Sequence, residues 1–151
     1  MVAWLLDHGA DPNRQCVIDL TPLSLAVEDA PVSVIQLMIN RGGDVRKGQL
    51  LHHAVDRHSD NIAVLRLLIE KGAPINSTMY EDHHPSWALF SFMPLGTPLH
   101  RAVELGKADI VRYLVSEGAN LNIKNAKGRT ALEYARMSDQ WEVIQAFEKR
   151  D

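Results

Sequence analysis

Apolar residues recur along this chain in short runs at helical spacing, and each run stops at a glycine. The runs read MVAWLL at 1–6, VIQLMI at 34–39, VLRLLI at 64–69 and IVRYLV at 110–115, with Gly9, Gly42, Gly72 and Gly118 just beyond them. Side chains three and four positions apart share one face of a helix, and glycine past the last turn is the usual left-handed cap. A second element precedes these runs: TPLSLAV at 21–27, QLLHHAV at 49–55, TPLHRAV at 97–103 and TALEYAR at 130–136. Thr21 and Thr97 suit an N-cap and Pro22 and Pro98 suit the first helical position, where a missing N–H costs nothing.

The predicted unit is a short helix, a turn, a longer helix, a glycine stop and an extended loop. Thr97 to Thr130 spans 33 residues, as does Gly9 to Gly42. That period, together with Thr97-Pro98-Leu99-His100-x-Ala102 and Gly118-Ala119-x-x-Asn122, resembles the ankyrin repeat over all of the chain but the segment near 77–95. The resemblance implies an all-α ankyrin-repeat solenoid: one domain over 1–151, with a half-repeat at 1–13, repeats at about 14–46, 47–76, 96–122 and 123–151, and an irregular insertion at 77–95. Modules this small bury their apolar faces against their neighbours. One row of core residues is expected from Leu23, Ala26, Leu51, Ala54, Leu99, Ala102, Leu132 and Ala135. A second is expected from Val34, Leu37, Met38, Val64, Leu67, Leu68, Ile110, Tyr113, Leu114, Val143, Ile144 and Phe147.

The departures from the pattern are as informative. Counted back from Gly9, Met1 falls inside a second helix that lacks its first, so Val2, Trp4 or Leu5 is left facing water. A patch of that kind calls for a cover. Either the chain is a piece of a longer array or the open N-terminal end self-associates. Gly42 to Gln49 is seven positions where Gly118 to Thr130 is twelve, so the hairpin finger is expected to be missing there, and Gln49 replaces the capping threonine. Asp60 or Asn61 is expected to cap the helix that follows. Asp139 with Glu142 resembles a capping box, and the polar tail from Glu148 to Asp151 reads as a solvated end of the stack. Gly72 to Thr97 is twenty-five positions, and the extra segment carries Tyr80, His83, His84, Trp87, Phe90 and Phe92. Long segments within compact domains are usually functional or disordered. Three large rings argue against disorder, and the alternation around Trp87–Phe92 fits a strand as well as a short helix.

Charge and composition remove whole classes of function. A net charge of −3 gives no basic field for nucleic acid or an anionic membrane surface. No apolar run approaches the roughly 18 residues a membrane span needs. The start lacks a signal-peptide pattern, and a single cysteine, Cys16, makes no internal disulfide. An intracellular setting, cytoplasmic or nuclear, follows as the expectation. Seven histidines raise the question of metal, but His52 and His100 hold the histidine place of the repeat motif, which the resemblance makes a structural hydrogen-bonder. The adjacent pair His83-His84 lacks a third ligand. No phosphate loop, nucleophile elbow or metalloprotease motif is present, so no metal, no cofactor and no catalytic residue is expected.

Recognition of another protein remains. Leu25, His53, Arg101 and Tyr134 hold the same place in four successive first helices, and Glu28-Asp29, Asp56-Arg57 and Glu104-Leu105 follow one turn later. In the resembled family this face, with the loop fingers, lines the concave surface where partners dock. The expected partner-binding set is His53, Asp56, Arg57, Arg101, Glu104 and Tyr134, joined by His83, His84, Trp87, Phe90 and Phe92 from the insertion. Those rings either fold back as cover or form an aromatic finger. The rival reading is a small-molecule or catalytic pocket between the insertion and the groove, with His53, Asp56, Arg101, Glu104 and Trp87 around it, His53 as acid or base and Arg101 holding an anion.

Overall fold

The computed structural model describes residues 1–16 and 18–148. It is all-α, and the chain divides into two compact units, Met1–Pro74 and Ile75–Asp151. The N-terminal unit holds α1 (Val2–Asp7), α2 (Pro22–Asp29), α3 (Val32–Asn40), α4 (Leu50–Asp56) and α5 (Asn61–Glu70). Each short helix pairs with the longer one that follows, α2 with α3 and α4 with α5, while α2 lies on α4, α3 on α5 and α1 on α3. The C-terminal unit holds α6 (His84–Phe90), α7 (Pro98–Glu104), α8 (Ala108–Ser116), α9 (Ala131–Met137) and α10 (Trp141–Glu148). There α7 pairs with α8 and α9 with α10, while α7 lies on α9 and α8 on α10.

The repeated glycines do what their spacing predicts. Gly9, Gly42, Gly72 and Gly118 all have φ between 86° and 94°, in the left-handed region that ends a helix without a Cβ clash. Two bonds then tie neighbouring modules, and each recurs. The asparagine four positions past the glycine accepts from the backbone of the next loop: Asn13 Oδ1 takes the Asp44 N–H at 2.6 Å, and Asn76 Oδ1 takes the Asn120 N–H at 2.8 Å. The residue in the histidine place donates to the carbonyl just before the next N-cap. His100 Nε2 lies 3.0 Å from the Arg129 carbonyl, and Ser24 Oγ donates to the Gly48 carbonyl at 2.6 Å. Serine is shorter than histidine, so the backbones must come closer, and a Cβ at Gly48 would collide with the Ser24 hydroxyl.

The caps follow suit. Thr21 Oγ1 accepts from the Ser24 N–H at 3.1 Å while Ser24 Oγ accepts from the Thr21 N–H at 3.1 Å. Thr130 and Glu133 form the same reciprocal box, and the Thr130 N–H on the Glu133 carboxylate holds that group below the usual carboxylate range. His100 closes the box with Thr97, accepting its N–H on Nδ1 at 3.2 Å. Two expected devices turn out differently, and Gln49 replaces the capping threonine with a bond of another kind. Asp60 starts α5 in a left-handed conformation with no side-chain cap, and the Asn61 amide turns back to donate to the Ala54, Val55 and Arg57 carbonyls at 3.0, 3.1 and 2.7 Å. It closes the end of α4 instead of opening α5. Asp139, at φ 51°, is not an extended N-cap, and α10 begins only at Trp141, so the Asp139–Glu142 box does not form. Gln49, standing where the capping threonine is expected, gives its amide to Asp19 Oδ2 at 2.5 Å, while Asp19 Oδ1 accepts the Gly48 N–H at 3.2 Å. The polar tail beyond Glu148 lies outside the described residues.

Both predicted rows are largely core: Leu23, Leu51, Ala54, Leu99, Ala102, Ala135, Met38, Val64, Leu68, Ile110, Leu114, Val143 and Phe147 are buried. Ile35, Leu65 and Val111, each one place beyond a predicted core residue, are also fully buried. These second helices carry partners on more than one side, which widens the apolar stripe. Leu37, Leu67, Leu132, Tyr113 and Ile144 are half-buried, and so are Ala26 and Val34, which face an open cavity.

Candidate functional site

In the N-terminal unit the exposed side of the first helices carries Leu25, Glu28 and Asp29 on α2 and His53 and Asp56 on α4. Leu25 is 59% exposed. His53 Nδ1 stands 3.4 Å from Glu28 Oε2 across the two helices, so a protonated imidazole there would pair with the carboxylate. Asp56 is half-buried. Arg57 is a correction. Expected on the exposed face, it is only 4% exposed. The chain turns to extended backbone at Arg57, and its guanidinium runs inward to donate to the Val27 carbonyl at the end of α2 at 2.6 Å and to Ser59 at 3.0 Å. It fastens one module to the next.

The C-terminal unit presents Arg101 and Glu104 on α7 and Tyr134 on α9, all half-buried. Arg101 Nη1 donates to Glu104 Oε2 at 3.1 Å, a pair one helical turn apart that holds the guanidinium along the helix surface. His100, one place before Arg101, points the other way. Burial holds its imidazole below the ordinary value despite the Arg129 carbonyl, which fits a neutral ring donating from Nε2.

The insertion resolves into a helix. His83 heads α6, accepting on Nδ1 from the Ser86 N–H at 3.3 Å, with Pro85 in the first turn. Ser86 is wholly buried, and Phe90 stacks on Tyr80 with ring centroids 5.4 Å apart. These contacts anchor the inner side of α6. Trp87 and Leu89 on α6 are 48% and 56% exposed, Phe92 and Met93 just past its end are 71% and 42% exposed, and His84 lies beside the Trp87 ring. The five predicted insertion residues therefore divide: Phe90 and His83 build the helix, and Trp87, Phe92 and His84 face outward. Leu89 and Met93 lie outside the expected partner-binding set, since which side of the segment faces water depends on a helix that its alternation does not specify.

Among the described residues no three His, Cys, Asp or Glu side chains cluster as a metal site, and no helix is long and apolar enough to cross a membrane. Cys16 is exposed, its thiol on the Ile18 carbonyl.

The family model for ankyrin repeats (3 copies) matches residues 1–79 and 90–148. The chain belongs to the ankyrin-repeat family. Residues 80–89, which hold most of α6 and the turn before it, fall between the matched stretches. The E3 ubiquitin-protein ligase XBAT33 of Arabidopsis thaliana is 39% identical over 74 residues, 48% of this chain and 14% of that protein. The B-cell lymphoma 3 protein homolog of Mus musculus is 32% identical over 123 residues, 78% of this chain and 24% of its own length. The Transient receptor potential cation channel subfamily A member 1 homolog of Caenorhabditis elegans is 26% identical over 147 residues, 97% of this chain and 8% of its own. The chain thus spans less than a quarter of each of these relatives.

Proposed function

We propose that this chain is a protein-recognition module that performs no reaction itself. It engages another protein through the exposed face of its first helices, represented by His53 and Asp56 in one unit and by Arg101, Glu104 and Tyr134 in the other, and through the outer side of α6. The observation that carries the reading is α6. A segment inserted between ankyrin repeats folds into a helix held by Ser86 and Phe90, and it leaves Trp87, Leu89, Phe92 and Met93 facing water. Exposed apolar side chains close together in sequence, on a segment anchored from within, are what an interface core needs, and the stack gains nothing from exposing them. The relatives support it from another direction: a ubiquitin ligase and a cation channel share the repeats while their names share nothing. The common property is then a surface for binding, with the partner set by each chain's own exposed residues. A net charge of −3 disfavours nucleic acid as that partner, and a lone exposed thiol suits a reducing, intracellular compartment.

The test uses the whole chain as bait beside two variants, one carrying Trp87→Ala with Phe92→Ala and one carrying Arg101→Ala with Tyr134→Ala. Partners retained by the intact chain should be lost from one or both variants while helicity stays unchanged. A partner set unaffected by both variants would refute the reading.

A further inference from the structure

Residues 83–100 contain no Asp, Glu, Lys or Arg, and residues 118–132 contain Lys124, Lys127 and Arg129 with no carboxylate among them. In a chain of net charge −3 that is a local excess of positive charge. The C-terminal unit ties the two stretches together. The Ala126 N–H donates to the Leu95 carbonyl at 2.8 Å, and His100 Nε2 lies 3.0 Å from the Arg129 carbonyl.

Residues 124–130 form a small finger held in one shape. Lys124 and Thr130 pair as an antiparallel bridge, and the Asn125 N–H donates to the Arg129 carbonyl at 2.8 Å. Asn125 is only 6% exposed, and its Oδ1 accepts the Lys127 and Arg129 N–H groups at 3.0 and 3.1 Å. A buried amide thus fixes the turn, while Lys124, Lys127 and Arg129 are all exposed. A backbone already ordered adds little to the cost of binding. Glu133 comes within reach of two of these cations. Its carboxyl is held low first by the backbone and side-chain hydrogen bonds of Thr130, and further by the charges of Lys124 and Arg129. One carboxylate against three cations leaves a positive surplus.

The apolar half of the surface comes from the end of the insertion. Phe92 and Met93 are exposed, whereas Leu95, which holds the finger, is buried. With successive Cα atoms about 3.8 Å apart, Phe92 and Met93 start within about 11 Å of Leu95. An extended segment covers that span with about four residues. The complement of an exposed ring, a thioether and a surplus of cations is a chain that carries carboxylates beside a large apolar side chain. Nucleic acid answers the charge less well, because the net charge of the whole chain repels a long polyanion, and Met93 offers it nothing to pair with.

We propose, resting on the recognition reading above, that Phe92, Met93 and the finger at 124–130 form one docking surface for an acidic, extended segment of another protein with a large apolar side chain beside its carboxylates. The test is a selection of random dodecapeptides displayed on phage against the intact chain, followed by fluorescence anisotropy of the most enriched peptide. Enriched peptides should carry an excess of Asp and Glu beside a large apolar residue. Lys124→Gln with Lys127→Gln should weaken binding by up to about fivefold per charge, the ceiling for an exposed ion pair, and the loss should shrink as salt is added. Phe92→Ala should weaken binding by about tenfold, the value of covering one large apolar side chain. Arg112→Gln, which removes an exposed cation on α8 outside the finger, should leave binding unchanged. Circular dichroism of each variant confirms that the fold is kept. A selection that enriches no sequence, or enriches peptides without a carboxylate excess, overturns the proposal. So does binding indifferent to the lysine pair or to Phe92→Ala. Equal loss with Arg112→Gln overturns it too, since the attraction would then belong to the whole chain, as does a labelled single-stranded oligonucleotide bound more tightly than the peptide. None of these results touches the recognition reading itself, which falls only when the partner set survives both bait variants.

Discussion

Replacing Arg57 with methionine separates a residue that holds the stack together from one that waits for a partner. The substitution keeps the long stem and removes the guanidinium, which donates to the Val27 carbonyl at 2.6 Å and to the Ser59 carbonyl at 3.0 Å. A hydrogen bond from a charged donor contributes about 1.5–3 kcal/mol, and a buried carbonyl left without its donor costs about 1–3 kcal/mol. Against this, the variant no longer buries a charge on a residue only 4% exposed. The balance is a loss of about 2–4 kcal/mol, far above the roughly 0.5 kcal/mol expected at an exposed interface position. With a urea m-value of about 2 kcal/mol per molar, the unfolding midpoint followed by circular dichroism should fall by about 1–2 M. A midpoint within about 0.2 M of the parent, with partner binding lost, would refute the assignment and return Arg57 to the recognition face.

Gly48→Ala should cost about 2–3 kcal/mol in the same urea assay, because the residue sits at φ 76° and its new Cβ meets the Ser24 hydroxyl; a neutral result would mean that Ser24 does not tie the modules. Asn61→Ala should cost about 1–3 kcal/mol, leaving the Ala54, Val55 and Arg57 carbonyls without the amide they share, whereas Asp60→Ala should be close to neutral. Phe92→Ala should change the stability by less than about 0.5 kcal/mol, since that residue is 71% exposed. Burial holds His100 below its ordinary pKa of 6.5. The unfolded chain therefore takes up a proton below about pH 6.5 that the folded chain refuses, and stability present above that pH is lost as the pH falls toward the folded-state value, by at most about 1.4 kcal/mol per pH unit. His100→Gln should remove this component of the pH slope; an unchanged slope between pH 7.5 and 5.5 would show that the ring is not held neutral.

What the sequence made legible is what repetition makes redundant. Four glycines and two threonines at matching places imply a cap even if one is misread, and all six stand at helix ends in the structure. Single residues without a repeat to vote on them were harder. Asp60, Asn61 and Asp139 each have the chemistry of an N-cap, yet capping also needs extended backbone, and the left-handed turns at Asp60 and Asp139 were invisible in the residue types. Arg57 read as exposed because arginine usually is. Its burial follows from the extended backbone after α4, which aims the side chain at the end of α2. The bond from Ser24 to Gly48 was hidden for a different reason: it replaces a histidine and an ordinary residue by a shorter donor and a glycine, and neither change signifies anything alone.

Equivalent places in the repeat show where packing stops dictating identity. Leu23, Leu51 and Leu99 fill one position and are at most 3% exposed, with Leu132 in the last module half-buried, so apolar volume is fixed there wherever a module has neighbours on both sides. Two places later stand Leu25, His53, Arg101 and Tyr134. None of these is buried, and three have different local commitments: Leu25 borders the cavity beside α1, His53 faces Glu28, and Arg101 lies along Glu104. A stacked core leaves this position free to vary in charge, shape and polarity, and the chain has used that freedom in every module. The insertion extends the same logic. Its inner residues, Ser86 and Phe90, are held by contacts within the unit, while Trp87, Leu89 and Phe92 are released to the outside. An apolar residue that packing does not require, on a helix that packing does hold, keeps its full burial energy for a partner, roughly 25 cal/mol for each Å² covered. Recognition in this chain should therefore concentrate at α6 and the residues just after it, where Trp87, Leu89, Phe92 and Met93 lie exposed within seven positions.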